Sequence, residues 1–191
     1  MRLAALATVL FVAALLLANI GQPEYSHRVH PVALRGASGL PGALPFNLFA
    51  FVLPGGLLLW AGQRLRDGFG DAGWPARIGI VLVQLSALAF AAQGLLPLDS
   101  HDVDSHASRL HALTWMLWWI AFVSGALLLA AGRRRHFGFA LACLAAAFLV
   151  PFIALFAPIG PWVGLAQRLA FAAWFGWWLA AAWLARPAAL R

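Results

Sequence analysis

His101, Asp104, Ser108 and His111 follow one another at spacings of 3, 4 and 3, the period that puts side chains on one face of a helix. If the helix that follows extends outward through residue 101, two imidazoles and a carboxylate share that face. His101, Asp104 and His111 are then candidate ligands for zinc or a similar divalent ion. The spacing lacks the His-x3-His step that sets two imidazoles one turn apart. A second reading is therefore open, in which the Asp and Ser residues cap a solvated helix entrance. The surrounding segment, residues 97–111, holds Asp99, Asp102 and Asp104, three of the six carboxylates, and three of the six histidines. Everything on either side of it is apolar.

Arg168 is the other residue whose position implies chemistry. It stands seven residues beyond Pro161, about 10 Å along a helix rising 1.5 Å per residue, inside an otherwise apolar run. A central arginine without a partner costs about 2.5–3.5 kcal/mol on membrane-insertion scales, so a carboxylate partner or snorkelling to the outer surface is expected. Asp99, at the end of the third apolar run, is the preferred partner. His111 lies just inside the fourth run, where a nearby carboxylate would favour its protonated ring. Asp99, His111 and Arg168 together make a candidate outer-facing pocket for a lipid head group or a small anion.

The elements that must position these groups follow from composition. Apolar residues make up 63 % of the chain and charged residues 10 %, with a mean hydropathy of +0.85, against about a quarter charged in soluble domains. The chain therefore reads as an all-α, polytopic integral membrane protein, one domain over residues 1–191. Six transmembrane helices are expected at about 3–20, 45–62, 78–98, 108–131, 137–157 and 162–184, near the roughly 20 residues a crossing needs. The first run reads as a helix rather than a cleaved signal, because it is longer than a signal's apolar core and lacks a small-x-small site at its end. Pro54-Gly55-Gly56 and Pro151 are expected to kink the second and fifth spans.

The formal charge of +7 comes from 13 arginines with no lysine. They cluster at loop ends, which fits membrane topology and not nucleic acid. Nine of them fall on one side of the proposed bundle and four on the other. The positive-inside rule then puts both termini in the cytoplasm and residues 21–44, 99–108 and 158–161 outside, in a bacterial inner membrane. Cys143 is the only cysteine, so neither a disulfide nor a cysteine metal site can form within one chain. A haem needs two buried histidines on facing spans, and His111 alone qualifies. Asn47, Gln84, Gln93, Ser124 and Gln167 are expected to make interhelical hydrogen bonds. His27 and His30 lie in the Pro- and Gly-rich first loop.

Several short pieces occur in order: Tyr25-Ser26-His27, Ala37-Ser38-Gly39, Asn47, Pro54-Gly55-Gly56, Leu96-Pro97-Leu98-Asp99, His111 and Gly164-Leu165-Ala166-Gln167-Arg168. Together they resemble the domain-of-unknown-function 998 family of bacterial and archaeal membrane proteins, over nearly the whole chain. The resemblance implies six spans and matches Asp99, His111 and Arg168 to the family's polar positions. It assigns no activity. Three functions stay open: a binding or accessory protein for a lipid head group or small anion, a membrane-embedded metal-assisted hydrolase, and a small transporter with its site at the two proline interruptions. In each the lipid bilayer is the constant partner.

Overall fold

The computed structural model describes residues 1–70, 72–133, 136–156 and 160–185, and these are helical with no strand among them. Six helices make the bundle: α1 Arg2–Leu16, α3 Ala43–Asp67, α4 Trp74–Leu95, α5 His106–Gly132, α6 Phe137–Phe156 and α7 Val163–Leu184. A single helical turn, α2 Val32–Arg35, lies in the first loop. Among the described residues four helices, α3 to α6, are long and apolar enough to cross a membrane. α1 is shorter at 15 residues, and α7 carries Gln167, Arg168 and four tryptophans, which lower its hydropathy.

The helices run up and down in a ring, with α1 against α3, α3 against α4, and so on round to α7, which returns to α1. α4 and α5 share the most extensive interface. Two glycines explain it. A Cβ on Gly125 would stand 2.8 Å from the Gly79 carbonyl and 2.9 Å from the Val83 nitrogen, and one on Gly79 would stand 2.8 Å from the Gly125 carbonyl. The backbones meet as closely as small residues allow, which is how helices associate where the hydrophobic effect is weak. In a free helix Gly→Ala gains about 0.5–1 kcal/mol. Overpacking costs about 1–3 kcal/mol, so Gly125→Ala is expected to destabilise by about 1–2 kcal/mol in detergent unfolding.

The core is aromatic. Phe11 of α1 stacks on Phe175 of α7 at 4.8 Å, and Phe90 of α4 meets Trp174 of α7 at 4.8 Å. Trp118 of α5 meets Phe171 edge-on at 5.0 Å. Such pairs contribute about 0.5–1.5 kcal/mol beyond their buried area, so α7 is fastened to three neighbours through its own aromatic face. Trp118 of α5 and Trp174, Trp177 and Trp178 of α7 are buried in this packing.

A wider π turn lies close to each proline interruption. Leu48–Val52 is followed by Leu53 and then Pro54, and Phe152–Phe156 directly follows Pro151. A proline removes one backbone donor and crowds the carbonyl four residues back, and a π turn re-spaces the ladder at that point.

At one end of the bundle lie the first loop, the α4–α5 connection and the start of α7; at the other lie Arg2, Arg64, Arg66, Arg77 and Arg133. The run expected as a sixth span, 162–184, is helical as α7, which is not among the four helices long and apolar enough to cross a membrane. Of the fifth, 137–157, the described residues run to Phe156, and residue 157 lies outside those described, as do Arg134, Arg135, Arg186, Arg191 and residues 158 and 159.

Candidate functional site: a clamped first loop

The Pro- and Gly-rich first loop is a run of turns with the helical turn α2, and these fold together into a cap. α1 ends at Leu16, and its trailing carbonyl at Ala18 accepts a 2.7 Å hydrogen bond from Arg35 Nε. A guanidinium at a helix C-terminal end satisfies an orphan carbonyl and meets the negative end of the dipole. Arg35 Nη1 donates to Pro41 O at 3.1 Å, and Asn19 Nδ2 donates to Tyr25 O at 2.9 Å. Asn47 Nδ2 donates to Gly36 O at 2.8 Å, closing the loop onto α3. Val32, Ala33 and Arg35 are buried as a result.

α7 grips the other side of this cap with four residues of the Gly164-to-Arg168 run. The first turn of a helix has backbone donors with no partner inside the helix, and here the Leu165 amide donates to Arg28 O at 3.0 Å. Gln167 Oε1 accepts from the Val32 amide at 2.6 Å. Gly164 lets the backbones touch: a Cβ there would collide with the His30 carbonyl and lie 2.9 Å from that of His27. Arg28 sits over the Trp162 ring at 4.2 Å, a cation–π contact at the rim.

Arg168 is the centre of the grip. Its Nη1 donates to His30 O at 3.0 Å and to Gly164 O at 2.7 Å, and its Nη2 donates to the Tyr25 hydroxyl at 2.5 Å. Tyr25 in turn donates to Pro31 O at 3.3 Å. The guanidinium also lies 5.6 Å from the Tyr25 ring centroid, and its Nε is buried with no hydrogen-bond partner among the described residues. The expected pairing of Arg168 with Asp99 is corrected here. The loop folds inward and supplies carbonyls and a phenol, and among the described residues none of the arginine's partners is a carboxylate.

Asp99 and His111 occupy the neighbouring α4–α5 turn. Asp99 Oδ1 accepts from the His101 amide at 2.9 Å, an Asx turn within its own loop. His111 is buried, and its Nδ1–H donates to Leu96 O at 2.9 Å, tying α5 to the end of α4. Ser108 Oγ accepts from the Asp99 amide at 3.1 Å. The turn touches the cap through the Ser38 amide, which donates to Leu98 O at 2.9 Å.

The metal arrangement is corrected as well. The helix begins at His106 with Ser105 as its N-cap, whose Oγ accepts from the Ser108 amide. His101 and Asp104 therefore lie in turns ahead of the helix, both exposed, off the face that His111 occupies. Among the described residues no group of three His, Cys, Asp or Glu is placed to hold a metal ion. The capping reading of Ser105 and Ser108 accounts for the segment.

Of the expected interhelical bonds, Asn47 and Gln167 bind the loop, and Gln84 Nε2 donates to Leu59 O at 3.3 Å. Both polar atoms of the Gln93 amide are buried without a hydrogen-bond partner among the described residues. The residues that sequence reasoning passed over are Tyr25 and Arg35. Tyr25 is the only tyrosine, set in a Pro- and Gly-rich loop opposite an arginine that needed a partner. An alternative to carboxylates was available there.

Burial raises the Tyr25 phenol above its ordinary 10.0, opposed by the nearby Arg168 and Arg35 charges. The folded state then keeps a proton that the unfolded chain begins to lose near pH 10, so the stability it contributes is intact below that pH and lost above it. With one tyrosine in the chain, phenolate absorbance reports this site alone. A titration midpoint above 10 is expected in the folded protein, and one at or below 10 would mean the phenol is solvated. His27 moves the other way: burial first, and Arg168 second, lower its imidazole below 6.5. Acidification through that value therefore favours the open loop.

Comparison with curated proteins and with solved structures yields no match. A family model described as "Protein of unknown function (DUF998)" matches residues 5–184, nearly the whole chain, and the protein belongs to that family.

Proposed function

We propose that this is a multi-pass protein of the bacterial inner membrane, with six crossings and both termini cytoplasmic, whose outer cap binds an anionic head group or small anion. Arginine asymmetry supports the orientation: Arg2, Arg64, Arg66, Arg77 and Arg133 share one end, opposite the cap. The sixth crossing is α7, and the first is α1 with the apolar residues that follow it to Ile20.

The observation that carries the anion reading is the state of Arg168. A guanidinium inside an apolar helix has, among the described residues, two carbonyls and a phenol as partners and no carboxylate. Arg35, close enough for its charge to act on the same phenol, is likewise bonded to carbonyls. Carbonyls orient a cation without cancelling its charge, which leaves the cap attractive to an anion. In this reading Arg168 and Arg35 supply the field, and Asp99 and His111 brace the turn at its edge. The π turns of α3 and α6 contain no ionisable side chain, so an ion site at those interruptions has nothing to support it.

Thermal unfolding of the purified protein in neutral detergent tests the reading. Inorganic phosphate and glycerol phosphate are compared with chloride at matched ionic strength. A ligand of the folded state raises the midpoint with concentration, so a rise beyond the chloride control is expected. An identical response to all three anions would defeat the proposal.

A further inference from the structure

An open groove of about 610 Å³ runs between α1, the cap and the start of α3. This is within the range of sites that hold small organic ligands, roughly 300–1,000 Å³. Leu10, Ala13 and Leu17 form one wall, and Phe46 and Phe49 form another. Leu10 to Leu17 spans about 10 Å along α1 at 1.5 Å per residue. Leu17, Ile20 and Phe49 are exposed along it, facing where a bilayer's acyl chains would lie.

One side chain on its lining is polar, and it is charged. Arg35, 7 % exposed, closes the groove at the cap end. Its Nε and Nη1 are fixed by the Ala18 and Pro41 carbonyls, so the planar fork is pre-oriented before any ligand arrives. Gly42, at φ +74°, stands beside the remaining edge, where a Cβ would come within 3.0 Å of Nη2. A side chain there would crowd the nitrogen that has no carbonyl to hold it in place.

An apolar trough ending in a buried, pre-oriented cation fits an amphiphile with an anionic head and a long hydrocarbon tail. A free small anion would use the cation and leave the walls unmatched. A neutral chain would use the walls and leave the charge unmatched. We infer that this groove binds an anionic phospholipid of the outer leaflet, its phosphate on Arg35 and one acyl chain lying between Leu10–Leu17 and Phe46–Phe49. The inference rests on the anion reading of the cap and adds the lipid chain and the place where it lies.

The test uses the full-length protein in neutral detergent and follows its unfolding midpoint against phosphatidylglycerol, phosphatidylcholine of the same chains, and glycerol phosphate. Phosphatidylglycerol is expected to act at a roughly hundredfold lower concentration than glycerol phosphate, because buried methylenes add to the head-group interaction. Ala13→Trp, which fills the exposed groove wall, is expected to remove that advantage and leave the glycerol phosphate response unchanged. Arg35→Gln is expected to remove discrimination between the two phospholipids. Because Arg35 also holds the end of α1, Ala13→Trp decides the matter if Arg35→Gln fails to fold.

If phosphatidylglycerol acts no better than glycerol phosphate, the lipid inference falls while the anion reading stands. If neither acts, both fall. Equal effects of the two phospholipids would overturn the anionic head group, and an undiminished advantage in Ala13→Trp would overturn the groove as the site. A concentration-dependent dimer abolished by Ala13→Trp and indifferent to lipid would assign the groove to a second copy of the chain.

Discussion

Arg168→Met is expected to destabilise the folded protein by about 2–4 kcal/mol and to release the first loop from α7. Three hydrogen bonds from a charged donor are lost, each of a kind that contributes about 1.5–3 kcal/mol. Removing the cation also removes the cost of keeping it in an apolar helix, about 2.5–3.5 kcal/mol on insertion scales, which is why the net loss is smaller than the sum. The His30 carbonyl is left without that donor. Arg168→Lys is expected to recover only part of the loss, since an ammonium cannot reproduce a planar fork that reaches a carbonyl and a phenol together. Reversible unfolding in mixed detergent gives the stability, and limited proteolysis within residues 21–44 reports the loop. An unchanged midpoint with an uncleaved loop would remove Arg168 from its central position.

Gly164→Val is expected to be at least as damaging, about 2–4 kcal/mol, although it deletes no hydrogen-bonding side chain. The first carbon of any side chain there meets the His30 carbonyl, with the His27 carbonyl at 2.9 Å behind it. Both are backbone atoms that cannot rotate away. The loop must retreat from α7, and the Leu165–Arg28, Gln167–Val32 and Arg168 contacts lengthen together. Overpacking alone costs about 1–3 kcal/mol, and the net loss of one of these hydrogen bonds, about 1 kcal/mol, brings the total to this range. The same unfolding and proteolysis measurements apply. A Gly164→Val protein as stable as the wild type would show that loop and helix are not in contact.

Much of the bundle was legible in the sequence because runs of apolar residues have few alternatives to a helix at membrane depth. Pro54 and Pro151 were readable as interruptions because proline's missing donor acts locally, and the π turns sit beside them. The start of α5 was misread. His101, Asp104 and His111 have helical spacing, yet Asp99 and Asp102 accept bonds from their own loop's amides and Ser105 caps the helix later. Asp and Ser compete with a helix by binding nearby backbone, and periodicity does not register that competition.

The partner of Arg168 was missed for a different reason. Charge arithmetic directs a search for a carboxylate, and four backbone or neutral groups answered instead: the His30 and Gly164 carbonyls, the Tyr25 hydroxyl and the Tyr25 ring. Carbonyls carry no residue-type signature, so a loop that supplies them looks like any other loop of prolines and glycines. The ordered pieces at 25–27, 37–39, 47, 96–99 and 164–168 lie together in the fold. Ser38 binds Leu98, Asn47 binds Gly36, and the 164–168 run grips 25–32. Their meaning is one assembly, visible only after the chain has folded them together.

The most direct test of that assembly is a double-mutant cycle on Tyr25→Phe and Arg168→Met, with unfolding free energies measured for the wild type, both single variants and the double. Residues that share a charge-assisted hydrogen bond couple by about 0.5–3 kcal/mol, so a coupling of about 1 kcal/mol or more is predicted, with Tyr25→Phe adding little once Arg168 is gone. Strictly additive losses, with coupling within about 0.3 kcal/mol of zero, would contradict a guanidinium held by the first loop.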